Sequence, residues 1–85
     1  GTTAGMSITW QAIPLTEIYM VHVFANQEGT PVFSAYSREN SYHIRPEIVA
    51  KIRERKGPYY IQIEGFHEDT RITGQSEKEL IQLTQ

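Results

Sequence analysis

Histidines and acids are the side chains of this sequence with the most evident chemical potential. The three histidines, His22, His43 and His67, lie far apart along the chain. A metal or nucleophilic site needs further ligands or a nucleophile converging on one of them. If His22 and Glu64 lie on the outer faces of neighbouring strands, they form a cross-strand polar pair. We expect that pair to stabilise an exposed sheet face rather than to carry chemistry.

The acidic residues form no recognisable cation or acid–base site. Glu68 and Asp69 follow His67, but a hard cation takes about six oxygen ligands, and no loop has that density of carboxylates. Asp69-Thr70 is better explained as a turn. The sequence has no phosphate-binding glycine loop, no nucleophile elbow and no cysteine. We therefore predict no enzymatic activity, no metal and no cofactor.

Basic residues cluster in one short segment. Such a cluster can hold an anionic glycan or a lipid headgroup, but the acidic residues Glu47 and Glu54 dilute it. A solvated helix face is the better explanation. The basic residues concerned are Lys51, Arg53, Arg55 and Lys56.

Composition limits the function classes further. The 85 residues suffice for one domain with a small core, and 39% of them are hydrophobic. The net charge of −2 argues against nucleic-acid binding, which is driven by basic surfaces. Apolar runs are too short to insert into a bilayer. We divide the chain into residues 1–6 (a linker, cloning remnant or remnant strand), 7–77 (the domain) and 78–85 (a tail or the end of the last strand).

Alternation of apolar and polar residues predicts short β-strands around one helix. Pro46 suits the first turn of a helix over residues 46–56, and Gly57 suits its C-terminal cap. The tail over residues 77–85 either extends the last strand or forms a frayed helix. The predicted strands cover residues 7–13, 17–24, 31–36, 41–44, 59–66 and 71–76.

The two faces of these strands have different predicted roles. We expect one face to form the core, together with one helix position, through Ile8, Trp10, Tyr19, Val21, Val23, Tyr42, Ile44, Ile52, Tyr59, Ile61 and Ile63. The opposite face of two central strands keeps apolar side chains, and such patches mark interfaces. Cover by Leu80, Ile81 and Leu83 of the tail, or by an adjacent domain, explains them equally well. The candidate partner-binding residues on this face are Met20, His22, Phe24, Tyr60, Glu64 and Phe66.

Several segments together resemble a fibronectin type III domain of the kind found in bacterial multidomain proteins. The resemblance covers residues 7–77. It implies an all-β, immunoglobulin-like sandwich of six to seven strands with a short helix between strands E and F. The matching segments are Ser7-Ile8-Thr9-Trp10 for strand B, Tyr19 with Val21 and Val23 for strand C, Ser41-Tyr42-His43-Ile44 for strand E, residues 57–65 for strand F and Gly74-Gln75-Ser76 for the exit of strand G.

The resemblance carries further expectations and two departures. It implies that Tyr59 is a tyrosine corner whose hydroxyl bonds to the upstream backbone. It also implies a spacer or protein-binding module in an extracytoplasmic protein. The helix replaces a short connection, and almost no chain precedes strand B. A missing strand A leaves an unpaired edge that favours pairing with another chain, for example as an edge-strand dimer.

Two alternatives remain open at this point. A carbohydrate-binding accessory domain of a secreted hydrolase would use Tyr36, Tyr60 and Phe66 as stacking platforms, assisted by Gln62 and Glu64. An α+β domain would instead have a single sheet covered by the helix. The protein-binding and carbohydrate-binding hypotheses thus assign different partners, a protein or a polysaccharide, to the same sheet face.

Overall fold

Seven β-strands and one α-helix occupy the part of the chain that the structure, a computed structural model, describes: residues 4–26, 29–68 and 71–83. The predicted turn at Asp69-Thr70 lies outside these residues. The elements are β1 (Met6–Thr9), β2 (Ile18–Ala25), β3 (Phe33–Ser37), β4 (Ser41–Ile44), α1 (Pro46–Arg53), β5 (Tyr59–His67), β6 (Arg71–Gln75) and β7 (Glu79–Ile81).

The strands form two antiparallel sheets of unequal size. The large sheet has the order β3-β2-β5-β6, and β7 also pairs with β5; the small sheet contains β1 and β4. At the centre of the large sheet, β2 and β5 pair from Ile18 opposite Phe66 to Ala25 opposite Tyr59. The predicted all-β, two-layer architecture is confirmed, and the alternative of a single sheet under the helix is wrong.

The core lies between the two sheets. Val21 and Val23 of β2 are fully buried, as is Ile44 of β4. Four more of the predicted core residues are also buried, and the remaining four pack half-buried against them. The first set is Tyr19, Ile52, Ile61 and Ile63, and the second is Ile8, Trp10, Tyr42 and Tyr59.

The helix completes the second layer. Pro46 occupies its first turn, Glu47 and Lys51 complement the two ends of the helix dipole, and the helix ends at Arg53. Val49 and Ile52 join the buried cluster that contains Val23 and Ile44. The helix therefore packs against the inner face of the large sheet, beside β1 and β4. Its C-terminal cap is Glu54 rather than Gly57.

The first and last strands differ from the prediction. The first strand ends at Thr9 rather than at residue 13, because the Ile13 N–H donates to the Tyr19 hydroxyl at 2.8 Å and the chain leaves the sheet. Met6, assigned to the leading segment, lies in β1. In its described part, up to residue 83, the tail is neither a helix nor an extension of β6. It forms a separate strand, β7, opposite the start of β5.

The Tyr59 hydroxyl provides a test of this arrangement. It donates to the Arg55 carbonyl at 2.6 Å, as the resemblance implied. We expect Tyr59→Phe to lower the free energy of unfolding by about 1 kcal/mol, because one hydrogen bond is lost. Urea denaturation followed by Trp10 fluorescence measures this. Tyr36→Phe is the control, since Tyr36 is exposed and should change stability by less than about 0.5 kcal/mol. Equal stability of the two variants would contradict the assigned role.

Candidate functional site

The outer face of the large sheet is the surface that points away from the small sheet and α1. Side chains alternate along β2, so burial of Tyr19, Val21 and Val23 on one side places Ile18, Met20, His22 and Phe24 on the other. Strand register then brings the remaining predicted site residues to the same face. Phe66, Glu64 and Tyr60 lie opposite Ile18, Met20 and Phe24, respectively.

One half of this face is an open apolar patch. Tyr36 lies opposite Met20, and Ile72 lies opposite Phe66. Tyr36 and Ile72 are both more than half exposed, whereas their neighbours are half-buried. We call Ile18, Met20, Tyr36, Phe66 and Ile72 the apolar patch. A cluster that mixes aromatic, thioether and branched side chains in this way is typical of protein interfaces.

The other half of the face is covered by the chain itself. Phe24 is only 4% exposed although it points outward. The Lys78 Nζ lies 4.1 Å from the centroid of the Phe24 ring, a cation–π contact. Leu80 of β7 lies opposite Tyr60 on the same side. Of the three tail residues expected to cover the face, Leu80 alone lies on it, beside Tyr60, whereas Ile81 and Leu83 pack against the core. Phe24 adds little exposed area to the face.

A hydrogen-bonded row of side chains separates the apolar patch from the covered half of the outer face. The His22 Nε2 lies 2.6 Å from the Glu64 Oε1, and the His22 Nδ1 lies 2.7 Å from the Ser34 Oγ. Gln75 donates to the other Glu64 oxygen at 3.1 Å. Because a carboxylate only accepts, Nε2 carries a proton, and in the neutral ring Nδ1 accepts from the Ser34 hydroxyl. The predicted His22–Glu64 pair is thus confirmed. It belongs to a larger network that also includes Ser34 of β3 and Gln75 of β6.

The order of serine, histidine and carboxylate matches that of a nucleophile, its base and an orienting acid. Catalysis by such a set also requires donors aimed at a developing oxyanion and a concave substrate site. Here the three side chains lie side by side on β3, β2 and β5, across the surface of a sheet. We therefore interpret the hydrogen-bonded network as structural and call its four residues, Ser34, His22, Glu64 and Gln75, the polar clamp. It fixes the side chains next to the apolar patch.

The other two histidines lie elsewhere. The His43 Nδ1 lies 2.9 Å from the Ser7 Oγ on the small sheet. The His67 Nδ1 lies 3.6 Å from the Glu17 Oε1 at the end of β5, beside Glu68. Within the described ranges, no group of three His, Cys, Asp or Glu residues could hold a metal ion. No helix found there is long and apolar enough to cross a membrane.

Four residues of the apolar patch and the hydrogen-bonded network escaped the sequence prediction of the site: Ile18, Ser34, Ile72 and Gln75. Ile18 and Ser34 lie on β2 and β3, and Ile72 and Gln75 lie on β6. Their positions on this face follow from the register of β3 and β6 with β2 and β5, which no pattern within a single strand specifies.

The partly buried His22–Glu64 pair should contribute measurably to stability. The two side chains are 12% and 17% exposed, and a charge-assisted hydrogen bond joins them. A double-mutant cycle with His22→Ala and Glu64→Ala should give a coupling free energy of about 1 kcal/mol. The cycle is read from denaturant unfolding curves of the four proteins.

The pair of His67 and Glu17 is the matched control. Its side chains are 36% and 56% exposed, and its atoms are 3.6 Å apart. The same cycle with His67→Ala and Glu17→Ala should give less than about 0.5 kcal/mol, because solvent screens exposed charges. A larger coupling in the exposed pair than in the His22–Glu64 pair would refute the assignment of the clamp.

No protein-family profile matches the chain, and no curated protein or solved structure matches it either. The packed sheets and the outer face, with its apolar patch and polar clamp, are therefore the observations from which a function is inferred.

Proposed function

We propose that the chain is a non-catalytic β-sandwich module that binds another protein through the outer face of the large sheet. The observation that carries this proposal is the distribution of exposed apolar side chains. The four exposed large hydrophobic residues among those described are Leu15, Tyr36, Ile72 and Leu80, and the last three share this face. A surface with no partner rarely concentrates such side chains in one place.

The partner surface follows from the chemistry of the face. The apolar patch favours aromatic and aliphatic side chains, which exclude water from Met20 and Tyr36. The polar clamp beside it offers the Glu64 carboxylate and the Gln75 amide at the border. A partner that places apolar groups on the patch and hydrogen-bond donors over Glu64 fits both regions.

The proposal includes membership of the fibronectin type III-like class of modules. The order of strands in the large sheet, the separate pair of β1 and β4 and the Tyr59–Arg55 hydrogen bond support it. From this class we further propose that the module belongs to a larger bacterial, extracytoplasmic protein. Both statements rest on the resemblance in sequence together with this geometry.

Of the two roles expected for such a module, binding is better supported than spacing. Met6 at the start of β1 and Leu83 after β7 pack against the same buried cluster, which contains Ile44 and Val49. These contacts lie on the inner side of the large sheet, so they leave Tyr36 and Ile72 of the outer face exposed.

A carbohydrate-binding function has less support. Tyr36 is exposed, but Tyr60 and Phe66 are half-buried and stand six residues apart on β5, about 20 Å along the strand. Gln62 and Glu64 lie between these two rings on the outer face of β5, so the rings do not form a continuous row. Polysaccharide binding is therefore the alternative from which the experiment must distinguish a protein partner.

The test compares side-chain accessibility in the isolated chain and in the protein as it occurs in its producing cell. Hydroxyl-radical footprinting with mass spectrometry should show severalfold slower oxidation of Met20 and Tyr36 in the assembled state. Leu15 is the internal control, because it is almost fully exposed and lies in the turn before β2 rather than on a strand of the large sheet. Tyr36→Glu should abolish the protection without affecting folding, and Leu15→Glu should leave it unchanged.

Two results would overturn the proposal. Equal oxidation of Met20 and Tyr36 in both states would show that the face has no partner. Binding of the isolated chain to cellulose, xylan or chitin oligosaccharides, lost in Tyr36→Ala and Tyr60→Ala, would replace the protein partner by a polysaccharide.

A further inference from the structure

One edge of β1 pairs with no other strand of the described residues. Among the strands of the described residues, β1 pairs with β4 alone, and just beyond β1 the Trp10 N–H donates to the Asn40 carbonyl at 3.1 Å. In an antiparallel pair, hydrogen-bonded and non-hydrogen-bonded residue pairs alternate. The alternation, starting from Trp10, directs the backbone N–H and C=O groups of Ser7 and Thr9 away from β4. These groups are placed to pair with an added strand.

A groove begins where this edge ends. It has a volume of about 580 Å³ and separates the chain that follows β1 from the outer edge of β6 and β7. Sites of about 300–1,000 Å³ accept ligands the size of several side chains. The edge of the large sheet is interrupted here, since β6 ends at Gln75 and β7 begins at Glu79. Residues that line the groove include Trp10, Ile13, Ile63, Gly74, Ser76 and Glu79.

The walls of the groove are largely apolar. Trp10, Ile13 and Ile63 supply this surface, and Trp10 packs edge-on against Tyr19 at a centroid distance of 5.3 Å. The indole Nε1 of Trp10 is buried and has no hydrogen-bond partner among the described residues. Apolar walls of this kind favour apolar side chains of a bound segment.

Charge identifies the type of side chain that suits the groove. Among the described lining residues, Glu79 alone is charged. It lies opposite Ile61, whose side chain points into the core, so the carboxylate projects on the side of β7 that faces the small sheet. A Lys or Arg side chain in the groove would pair with it.

From these features we propose that the open side of the sandwich binds an extended segment of another polypeptide, which adds to β1 as a strand. Its backbone pairs with Ser7 and Thr9. Its alternate apolar side chains fill the groove against Trp10 and Ile13, and a basic side chain reaches Glu79. This is strand addition to a sheet edge, in which the backbone supplies affinity and the pockets supply specificity. The site is distinct from the outer face and does not depend on the function proposed above.

A second copy of the chain suits this site less well. The β1 edge of a second copy has no cation to offer Glu79, because β1 contains only Met6, Ser7, Ile8 and Thr9.

Synthetic peptides test the proposal directly. The probes are two eight-residue peptides that alternate Val and Thr and differ in one residue, Lys in the first and Glu in the second. Binding is followed by the emission of Trp10, the single tryptophan of the chain, and by hydrogen exchange at the Ser7 and Thr9 amides. We expect the Lys peptide to bind at least about fivefold more tightly than the Glu peptide, and Glu79→Lys to reverse the order.

Thr9 separates strand addition from other modes of binding. Because its N–H points away from β4, Thr9→Pro removes a donor for the added strand without removing a bond of the β1–β4 ladder. Thr9→Ala retains the amide and is the matched control. We expect Thr9→Pro to weaken peptide binding at least about tenfold and Thr9→Ala to leave it nearly unchanged. Circular dichroism and thermal unfolding establish that both variants fold.

Several outcomes overturn the proposal. Equal binding by Thr9→Pro and Thr9→Ala excludes strand addition, and binding of neither peptide excludes the site. Protection of the Ser7 and Thr9 amides in the free, dilute chain means that the chain's own residues fill the edge. Protection that rises with protein concentration, with a dimer in sedimentation analysis, means that a second copy fills it. The Tyr36→Glu variant should bind the Lys peptide normally, so failure here leaves the proposed function of the outer face standing.

Discussion

The long antiparallel pairing between β2 and β5 is the interaction on which the other features depend. It runs from Ile18 opposite Phe66 to Ala25 opposite Tyr59 and fixes the register of both strands. A shift by one residue would exchange the two faces of a strand. If β5 shifted by one residue while β2 kept its place, Ile63 would face solvent and Glu64 would face the core. The same register therefore specifies both the core and the outer face with its polar clamp.

The second layer is much smaller than the first. Two four-residue strands and an eight-residue helix cover one side of a sheet whose central strands have eight and nine residues. Burial is complete where Ile44, Val49 and Ile52 meet Val23. It is incomplete beside Trp10 and Ile13, where the groove opens. The imbalance between the layers thus produces a sealed end and an open side in one small sandwich.

Local patterns in the sequence were sufficient for features that depend on one or two strands. The alternation in residues 17–24 and 59–66 predicted the faces of β2 and β5, and hence the His22–Glu64 pair. Features that depend on distant segments were not predictable in this way. The Phe24 ring is contacted by Lys78, which lies far along the chain, and Ser34 joins the clamp through the register of β3. The early end of β1 depends on a hydrogen bond between Ile13 and the Tyr19 hydroxyl. The alternation of apolar and polar residues does not predict such a contact.

The packing of Met6 and Leu83 against one buried cluster has a mechanical consequence. Tension applied through these two residues would load β1 and β7 at the ends of their short ladders to β4 and β5. The ladders would then break one hydrogen bond after another, as in unzipping, rather than all at once in shear. A sandwich pulled through these residues would therefore resist sustained force poorly.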